Sequence, residues 1–325
     1  MRFSHGLTFA CCSLAVAALP AAAQSTVAVS GHLDAGVYRD FDRTSKLGTI
    51  QRSNLAFAGT EDLGGGLQAT FRLSTRLEMG TGAPEGNGFK PFWHDESTVG
   101  LKGRWGQLRL GRALSAMWAQ EWQFDPWANF NRIASPAWHM AHYLAPTDRA
   151  SNNGTAEYGR MSNGVFYDSP TMGGFTAHLS GSTERTEAPG RQGRGYSASL
   201  NYDQGPVAAM LAHERNGSGD TDLYLGGKYR WGAAALMLAY DRTRSGDTQD
   251  KANLVAVGAT YAMGSTTFKA GYGRQRLNGE TNQMVSLGAE YALSKRTMAY
   301  ASLGHQRYAQ QPSRTAFGVG LGHSF

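Results

Sequence analysis

The chain has 325 residues and a formal charge of +6 at pH 7, with 42 glycines and two cysteines. The excess of base is modest and no run of five or six basic residues occurs, so a nucleic-acid partner is not expected. Both cysteines, Cys11 and Cys12, lie near the start, and the rest of the chain can form neither a disulfide nor a cysteine metal site. No phosphate-binding glycine loop is present, and neither a cofactor nor a metal is expected.

The first 23 residues have the pattern of a secretory signal peptide. A basic residue, Arg2, precedes an apolar run over residues 7–19, and three alanines follow at 21–23. The run is shorter than the roughly 20 apolar residues that a membrane-spanning helix needs. We therefore expect cleavage of residues 1–23, which leaves one domain at 24–325; an uncleaved anchor is the alternative.

Polar and apolar residues alternate along most of this domain. From Leu67 to Leu73 the odd positions are apolar, whereas the even positions from 68 to 76 hold Gln68, Thr70, Arg72, Ser74 and Arg76. Successive side chains of a strand point to opposite faces, so the pattern predicts strands with one apolar and one polar face. Two segments are ambiguous: both faces look apolar at 233–239, and the outward face at 297–304 is undecided.

The alternating segments predict about sixteen strands. We expect them at 26–39, 50–61, 66–79, 93–103, 106–113, 158–168, 174–184, 194–203, 206–215, 219–230, 232–243, 251–262, 265–276, 281–291, 295–308 and 313–325. An even count brings both termini to one side and lets the first strand pair with the last, so that no edge faces lipid. The connections are alternately short and long, as in transmembrane barrels. The predicted fold is all-β: a closed antiparallel transmembrane β-barrel.

Four tyrosines recur at regular intervals, each two to three residues before a predicted tight turn. They are Tyr202, Tyr229, Tyr261 and Tyr291, spaced by 27, 32 and 30 residues. Aromatic residues at a common depth beside the short turns are typical of the periplasmic girdle of a membrane barrel. A secreted soluble β-protein, which is the alternative, does not require that common depth.

Several motifs resemble the trimeric sixteen-stranded porins of Neisseria and related β-proteobacteria. The matching stretches are Phe57–Leu67, Val99–Gly103, Leu110–Arg112, Val165–Pro170 and Gly318–Phe325. The resemblance implies an outer-membrane protein of a Gram-negative bacterium that is surrounded by lipid and lipopolysaccharide. It also implies a homotrimer with one water-filled pore per subunit, and a terminal Phe325 that is read by the outer-membrane assembly machinery.

In these porins the third external loop folds into the barrel and narrows the pore, and the corresponding segment here is 114–157. The loop residues expected at the constriction are Trp118, Glu121, Trp122 and Asp125. The bases expected on the facing wall are Arg72, Arg76, Lys102 and Arg109. Charges of opposite sign across a narrow pore decide which ions pass, and we predict weak anion selectivity. The alternative is that some of these bases, notably Arg76 and Lys102, contact lipopolysaccharide or line a solvated rim.

The same loop is rich in tryptophan, with Trp118, Trp122, Trp127 and Trp138. The spacing of Leu114, Trp118 and Trp122 indicates one or two helical turns. We expect these rings to pack the loop against the wall. Alternatively, some of them line the constriction and make a channel specific for a sugar or an aromatic acid.

Catalysis is the competing class of function, because some outer-membrane barrels are hydrolases. His139 and His142 lie three residues apart with Asp148 nearby, but no third ligand or nucleophile accompanies them. We interpret them as residues of a solvated loop. The predicted function is passive diffusion of small hydrophilic solutes and ions, without an enzymatic activity.

Overall fold

The computed structural model describes residues 26–85, 91–142, 159–183, 194–217, 219–246, 248 and 250–325. The predicted signal peptide at 1–23 lies outside these residues. The described part contains seventeen strands in one antiparallel sheet. Their bounds are β1 Thr26–Arg39, β2 Ser45–Gly48, β3 Asn54–Gly64, β4 Leu67–Arg76, β5 Glu96–Gly103, β6 Gly106–Leu114, β7 Arg160–Asp168, β8 Phe175–Ser182, β9 Tyr196–Gln204, β10 Val207–Arg215, β11 Thr221–Trp231, β12 Ala234–Arg244, β13 Lys251–Met263, β14 Thr266–Leu277, β15 Glu280–Ala292, β16 Thr297–Arg307 and β17 Arg314–Ser324.

The first and last strands close the sheet into a barrel. β1 and β17 are paired from His32 opposite Ser324 to Arg39 opposite Phe317. Beyond this ladder, Gly31 and Phe325 exchange two backbone hydrogen bonds of 3.1 Å. Closure pairs the backbone groups that an open edge would expose to lipid, which cannot hydrogen-bond them. The predicted closed antiparallel barrel is confirmed.

The second wall strand is built from two segments. β2 pairs with residues 36–39 of β1, and β3 pairs with residues 26–32 of the same strand. Counted this way, the described strands form sixteen wall strands, as predicted. The prediction of one continuous strand at 50–61 after a loop at 40–49 was wrong, because the chain bulges away from the ladder between β2 and β3.

A buried carboxylate bridges this bulge. Asp34 is 0% exposed, and its Oδ1 accepts the backbone N–H groups of Ile50 and Gln51, both at 2.8 Å. Its Oδ2 accepts the hydroxyl of Tyr300 at 2.6 Å. One side chain therefore satisfies the backbone donors that the bulge removes from the ladder.

Asp34→Ala is expected to lower the free energy of unfolding by roughly 3–6 kcal/mol, because two backbone donors lose a charged acceptor that is worth about 1.5–3 kcal/mol to each. Denaturant unfolding of the folded barrel in lipid measures the difference. Asp203→Ala removes an exposed carboxylate at the short-turn end and serves as the control. Equal stability of the two variants would show that the bulge does not need its carboxylate.

The outer surface of the barrel is apolar. Val29, Phe71, Leu287 and Val319 point outward, and Val319 is 60% exposed. The ambiguous segments are also resolved. Leu236 and Leu238 face outward, while their neighbours Met237 and Ala239 are buried inside. In β16 the outward residues are Ala301 and Leu303, and Tyr300 and Ser302 face inward.

The predicted tight turns are present at one end of the barrel. Gly205, Gly232 and Gly264 follow β9, β11 and β13 and have φ of +61°, +56° and +59°. These left-handed conformations suit two-residue hairpin turns and favour glycine. We refer to this end as the short-turn end.

Two short helical segments lie in the third loop. A 3₁₀ helix spans Glu121–Phe124 and an α-helix spans Pro136–Met140. Leu114 ends strand β6, so the helical turn predicted from Leu114 through Trp118 was wrong, and helical structure begins only at Glu121. Among the described residues, no helix is both long and apolar enough to cross a membrane.

Candidate functional site: the lumen and its third loop

The third loop folds into the barrel. Its described part is 115–142, and the rest of the predicted loop, 143–157, lies outside the described residues. Met117 donates its N–H to Ser197 Oγ at 3.1 Å, and Asn131 Nδ2 donates to Ser302 Oγ at 2.9 Å. The acceptors belong to β9 and β16, so the loop crosses the lumen along one side of the wall.

A row of glycines on that wall receives the loop. A β-carbon added at Gly226 would lie 2.3 Å from the ring of Phe124, and one at Gly304 would lie 2.0 Å from the carbonyl oxygen of Ile133. Similar close approaches occur at Gly258, Gly271, Gly273, Gly288 and Gly318. A side chain at these positions would hold the loop away from the wall. The small residues of β11–β17 therefore create the surface on which the loop rests.

A cavity of about 600 Å³ remains between the loop and the opposite wall. Five arginines in the described part of the chain line it: Arg52, Arg72, Arg76, Arg109 and Arg160. Three carboxylates also border it, those of Asp95, Glu96 and Glu121, together with the rings of Trp118, Trp122 and Trp138. The narrowed part of the lumen is therefore basic and partly aromatic.

The acids that hold these arginines in position are fewer than the arginines themselves. Arg72 and Arg109 share Glu96, at 3.1 and 2.8 Å, and Arg76 binds Asp95 at 2.8 Å. Arg52 lies 4.2 Å from the ring centroid of Phe130, and no described carboxylate is within ion-pair distance of it. Arg109 also pairs with Asp168 and Arg76 with Glu85, so four described acids pair with this group of five arginines and the cavity retains an excess of positive charge.

Three of the four predicted bases line this cavity, and one does not. Lys102 is exposed and lies one residue from the tight turn that joins β5 to β6, near the short-turn end. Arg52 and Arg160 line the cavity but were not singled out from the sequence. Arg52 lies in the bulge between β2 and β3, where the alternation of faces is interrupted, and Arg160 begins β7 directly after the third loop.

The two predicted loop acids do not face the arginines. Asp125 is buried, and its carboxylate accepts the backbone N–H groups of Trp127 and Asn129 at 2.8 and 3.1 Å. Glu121 borders the cavity, but its carboxylate binds Asn129 and His142. Asp125 caps a turn and Glu121 belongs to a buried network. The acids that pair with the arginines come instead from the barrel wall and from the second loop, which is residues 77–95 between β4 and β5.

The tryptophans divide between the two roles that the sequence left open. Trp127 is buried, with its ring against Gly271 and Gly288 of the wall. Trp118, Trp122 and Trp138 line the cavity, and Trp122 is 46% exposed. One ring thus packs the loop against the barrel, whereas the other three are accessible from the lumen.

The interpretation of His142 as a solvated loop residue was wrong, because it is buried, whereas His139 is part-buried and lines the cavity. His142 Nδ1 lies 2.5 Å from Asp222 and 2.9 Å from Asp241, and Nε2 contacts Glu121. Burial alone would lower the pKa of His142, but the three carboxylates outweigh it and raise the pKa well above its ordinary value. His139 hydrogen-bonds the carbonyl of Arg132 at 2.9 Å, and burial lowers its pKa to about 4.

An ion-pair network joins the second and third loops. Arg132 binds Glu78 at 2.6 Å and Glu85 at 2.7 Å, and Glu85 also lies 3.5 Å from Arg76. Burial alone would raise the pKa of Glu85, but Arg76 and Arg132 outweigh it and hold the pKa below its ordinary 4.5. This carboxylate therefore stabilises the folded loops above pH 4.5, and its contribution is lost as the pH falls through the lower folded value.

Acidification is therefore expected to loosen the loops through Glu85. The Glu85 amide donates to the Arg76 carbonyl at 3.0 Å, so hydrogen exchange of this amide reports the opening. Glu85→Gln should exchange faster than the unchanged chain at pH 7, and the difference should vanish below the folded pKa. Comparison at each pH cancels the intrinsic change in exchange rate. If the difference in exchange rate persists at low pH, the altered packing of the glutamine and not the loss of the negative charge would be its cause.

The predicted girdle tyrosines lie near the short turns. Tyr229, Tyr261 and Tyr291 point outward and are about half exposed, and Tyr202 packs against Phe175 with ring centroids 4.8 Å apart. At the C-terminus, the ring of Phe325 covers Gly31, where an added β-carbon would lie 2.6 Å from it. The last residue is thus part of the barrel seam.

A closed barrel with an apolar outer face and a lumen narrowed by its own loop is a channel of the outer membrane. The sequence profile of the Gram-negative porin family matches residues 10–311, and the chain belongs to this family. The fold and family together make it an outer-membrane porin, which forms a water-filled channel for passive diffusion of small hydrophilic solutes and ions.

Individual relatives agree with this assignment. Outer membrane porin protein 32 of Delftia acidovorans is 31% identical over 308 residues, which cover 87% of this chain and 84% of that protein. A major outer membrane protein P.IB of Neisseria gonorrhoeae is 29% identical over 364 residues, covering 96% and 98%. Among solved structures, the anion-selective porin from Comamonas acidovorans superposes with a TM-score of 0.78 at 26% identity, covering 93% of this chain and 100% of that one.

Proposed function

We propose that the channel is anion-selective and that the arginine-lined cavity is its constriction. The observation that carries the proposal is the charge of the cavity: five guanidinium groups in the described part of the chain face three carboxylates, one of which is bound to His142. Fixed charge at a narrow point decides which ions enter, because screening is incomplete within about 8–10 Å. The similar Comamonas porin is itself described as anion-selective, which supports the same sign here.

The assembly around the channel forms a second part of the proposal. The family resemblance supports a homotrimer, an outer membrane containing lipopolysaccharide, cleavage of residues 1–23 and recognition of Phe325 by the assembly machinery. Tyr202, Tyr229, Tyr261 and Tyr291 are proposed to anchor the periplasmic end at the membrane surface.

Recordings from single channels in a planar bilayer test both parts. A salt gradient across the bilayer gives a reversal potential, whose sign identifies the favoured ion, and closures in groups of three identify a trimer. Anion preference with threefold steps is the expected result. Cation preference would overturn the assignment of the cavity as the constriction, and single steps would overturn the trimer.

A substrate-specific channel is the second candidate. Trp118, Trp122 and Trp138 share the cavity with the arginines, and an aromatic carboxylate could stack on a ring while its charge binds a guanidinium. A sugar could stack on the same rings. Block of chloride current by micromolar benzoate or by a disaccharide would favour this candidate over general diffusion.

We also propose that the chain has no hydrolase activity. The histidines of the third loop are engaged otherwise: His139 is bonded to a backbone carbonyl and His142 to carboxylates. In the part of the chain that the structure describes, neither is hydrogen-bonded to a serine hydroxyl that it could activate. Assays with ester, phospholipid and peptide substrates are expected to give no turnover.

A further inference from the structure

A cluster of buried ionisable residues lies behind the cavity, where the third loop meets strands β11 and β12. His142 Nδ1, an Asp222 oxygen and an Asp241 oxygen all lie within 4.8 Å of one another. Glu121 contacts the other ring nitrogen, and Glu214 lies directly opposite Asp222 on β10. The side chains of these five residues are 2% exposed or less.

The charges of this cluster do not balance. Among the described residues of the cluster, four carboxylic acids surround one imidazole, so ionisation of all five groups would leave an excess of three negative charges. Burying unpaired carboxylates is costly, and proteins avoid it by protonation or by binding a cation. A single nitrogen, His142 Nδ1, also faces two carboxylates at once, at 2.5 and 2.9 Å, although it can donate only one hydrogen.

Buried oxygen atoms in this cluster that lack a hydrogen-bond partner point independently to a cation. Within the described residues, Asp222 Oδ1 and Thr243 Oγ1 are buried side-chain atoms without a hydrogen-bond partner. Thr243 is 0% exposed and is the direct partner of Asp222 across the β11–β12 ladder, so the two side chains are neighbours on the lumen face. Buried polar groups in proteins are nearly always satisfied, and a cation would use these oxygens as ligands.

We propose that His142, Asp222 and Asp241 bind a divalent transition-metal cation such as Zn²⁺ or Mn²⁺. One imidazole nitrogen with carboxylate and hydroxyl oxygens is a donor set that suits these ions. Glu121 then accepts the Nε2–H of His142 and orients the ring, as carboxylates do behind many metal-bound histidines. The three ligands would separate slightly, since donor atoms around a tetrahedral zinc lie about 3.3 Å apart.

The site would fasten the third loop to the wall. His142 and Glu121 come from the loop and border the cavity, whereas both aspartates come from wall strands. A bound cation would therefore join the narrowing element to the barrel at one point. The site does not depend on the ion selectivity of the channel and can be tested without measuring transport.

Calorimetric titration of the folded full-length protein in detergent, after treatment with EDTA, tests the proposal. ZnCl₂ and MnCl₂ should each bind at one site per chain. Asp222→Asn and Asp241→Asn should weaken binding at least tenfold, and Glu121→Gln should weaken it by about 10–100-fold, as is typical when the partner of a metal-bound histidine is lost. Asp203→Asn, which removes an exposed carboxylate that is ion-paired with Arg230, is the matched control and should leave binding unchanged.

A spectroscopic measurement keeps the proposal testable if the variants fold poorly. The zinc X-ray absorption spectrum of the unchanged protein should show one imidazole and otherwise oxygen ligands. Absence of binding by both metals, binding that Asp222→Asn leaves unchanged, or a shell with two or more imidazoles would each overturn the proposal. The last result would show that zinc binds elsewhere among the nine histidines of the chain.

Discussion

The double variant Arg52→Gln, Arg72→Gln is expected to lose most of the anion preference of the channel. Both guanidinium groups line the cavity, and they are less embedded than Arg76, whose side chain is 4% exposed between Glu85 and Asp95. Their removal therefore changes charge with little change in packing. Arg52 is the more informative of the two, because no described carboxylate lies within ion-pair distance to cancel it.

The size of the effect follows from Coulomb's law. One unit charge acting on an ion about 8 Å away in water contributes about 0.5 kcal/mol, which changes the local anion concentration about twofold. The same charge lowers the local cation concentration about twofold, so two neutralised charges should lower the ratio of anion to cation permeability by up to about sixteenfold at low salt. The effect should shrink at 1 M salt, where the screening length is about 3 Å.

Reversal potentials at several salt concentrations measure this ratio. Arg230→Gln is the matched control, since Arg230 lies at the short-turn end and is paired with Asp203 at 2.9 Å. A shift of equal size in the control would mean that total charge rather than the cavity sets selectivity. No shift in the double variant would remove both arginines from the constriction.

Gly304→Ala is expected to displace the third loop and reduce single-channel conductance. The added β-carbon would lie 2.0 Å from the carbonyl oxygen of Ile133, a backbone atom that cannot move away by side-chain rotation alone. Strand β16 is hydrogen-bonded on both sides, so the loop has to move into the lumen. Overpacking of this kind costs about 1–3 kcal/mol, and we expect a lower melting temperature together with noisier current.

A neighbouring pair of glycines supplies the control. Gly226 and Gly227 are adjacent in β11, but an added β-carbon meets the ring of Phe124 at Gly226 and nothing within 4 Å at Gly227. Gly226→Ala should resemble Gly304→Ala more weakly, since a ring can shift, and Gly227→Ala should behave like the unchanged chain. If all three variants conduct alike, the glycine row does not position the loop.

The barrel wall could be predicted from the sequence because the alternation of polar and apolar residues depends only on neighbouring positions in each strand. A strand in this wall has lipid on one side and the lumen on the other, so hydrophobicity alternates with a period of two. The alternation that begins at Leu67 predicted the outward face of β4 correctly, with Phe71 exposed and Ser74 and Arg76 buried. It failed at 233–239, where Ala239 is apolar although it faces inward, because it lies in one buried cluster with Phe124 of the third loop.

The interior of the barrel could not be predicted in the same way, since its contacts join residues far apart in the chain. His142 meets Asp222 across 80 residues, and Asn131 meets Ser302 across 171. The high glycine content was visible from the outset, but its purpose depends on which glycines face the loop. Arg52 was missed for a related reason: the bulge around it breaks the alternation from which inward positions are inferred.

These contacts join an early loop to later strands, which has a consequence for the order of folding. The third loop lies early in the chain, yet it rests on β11–β17, which are the last strands to be made. Closing such long segments costs entropy that only the finished contacts offset. The loop therefore lacks the glycine-lined part of its supporting surface until the C-terminal strands have joined the wall. The width of the pore is therefore set at the end of folding. A chain arrested before β16 would lack part of the glycine-lined wall that holds the third loop in place.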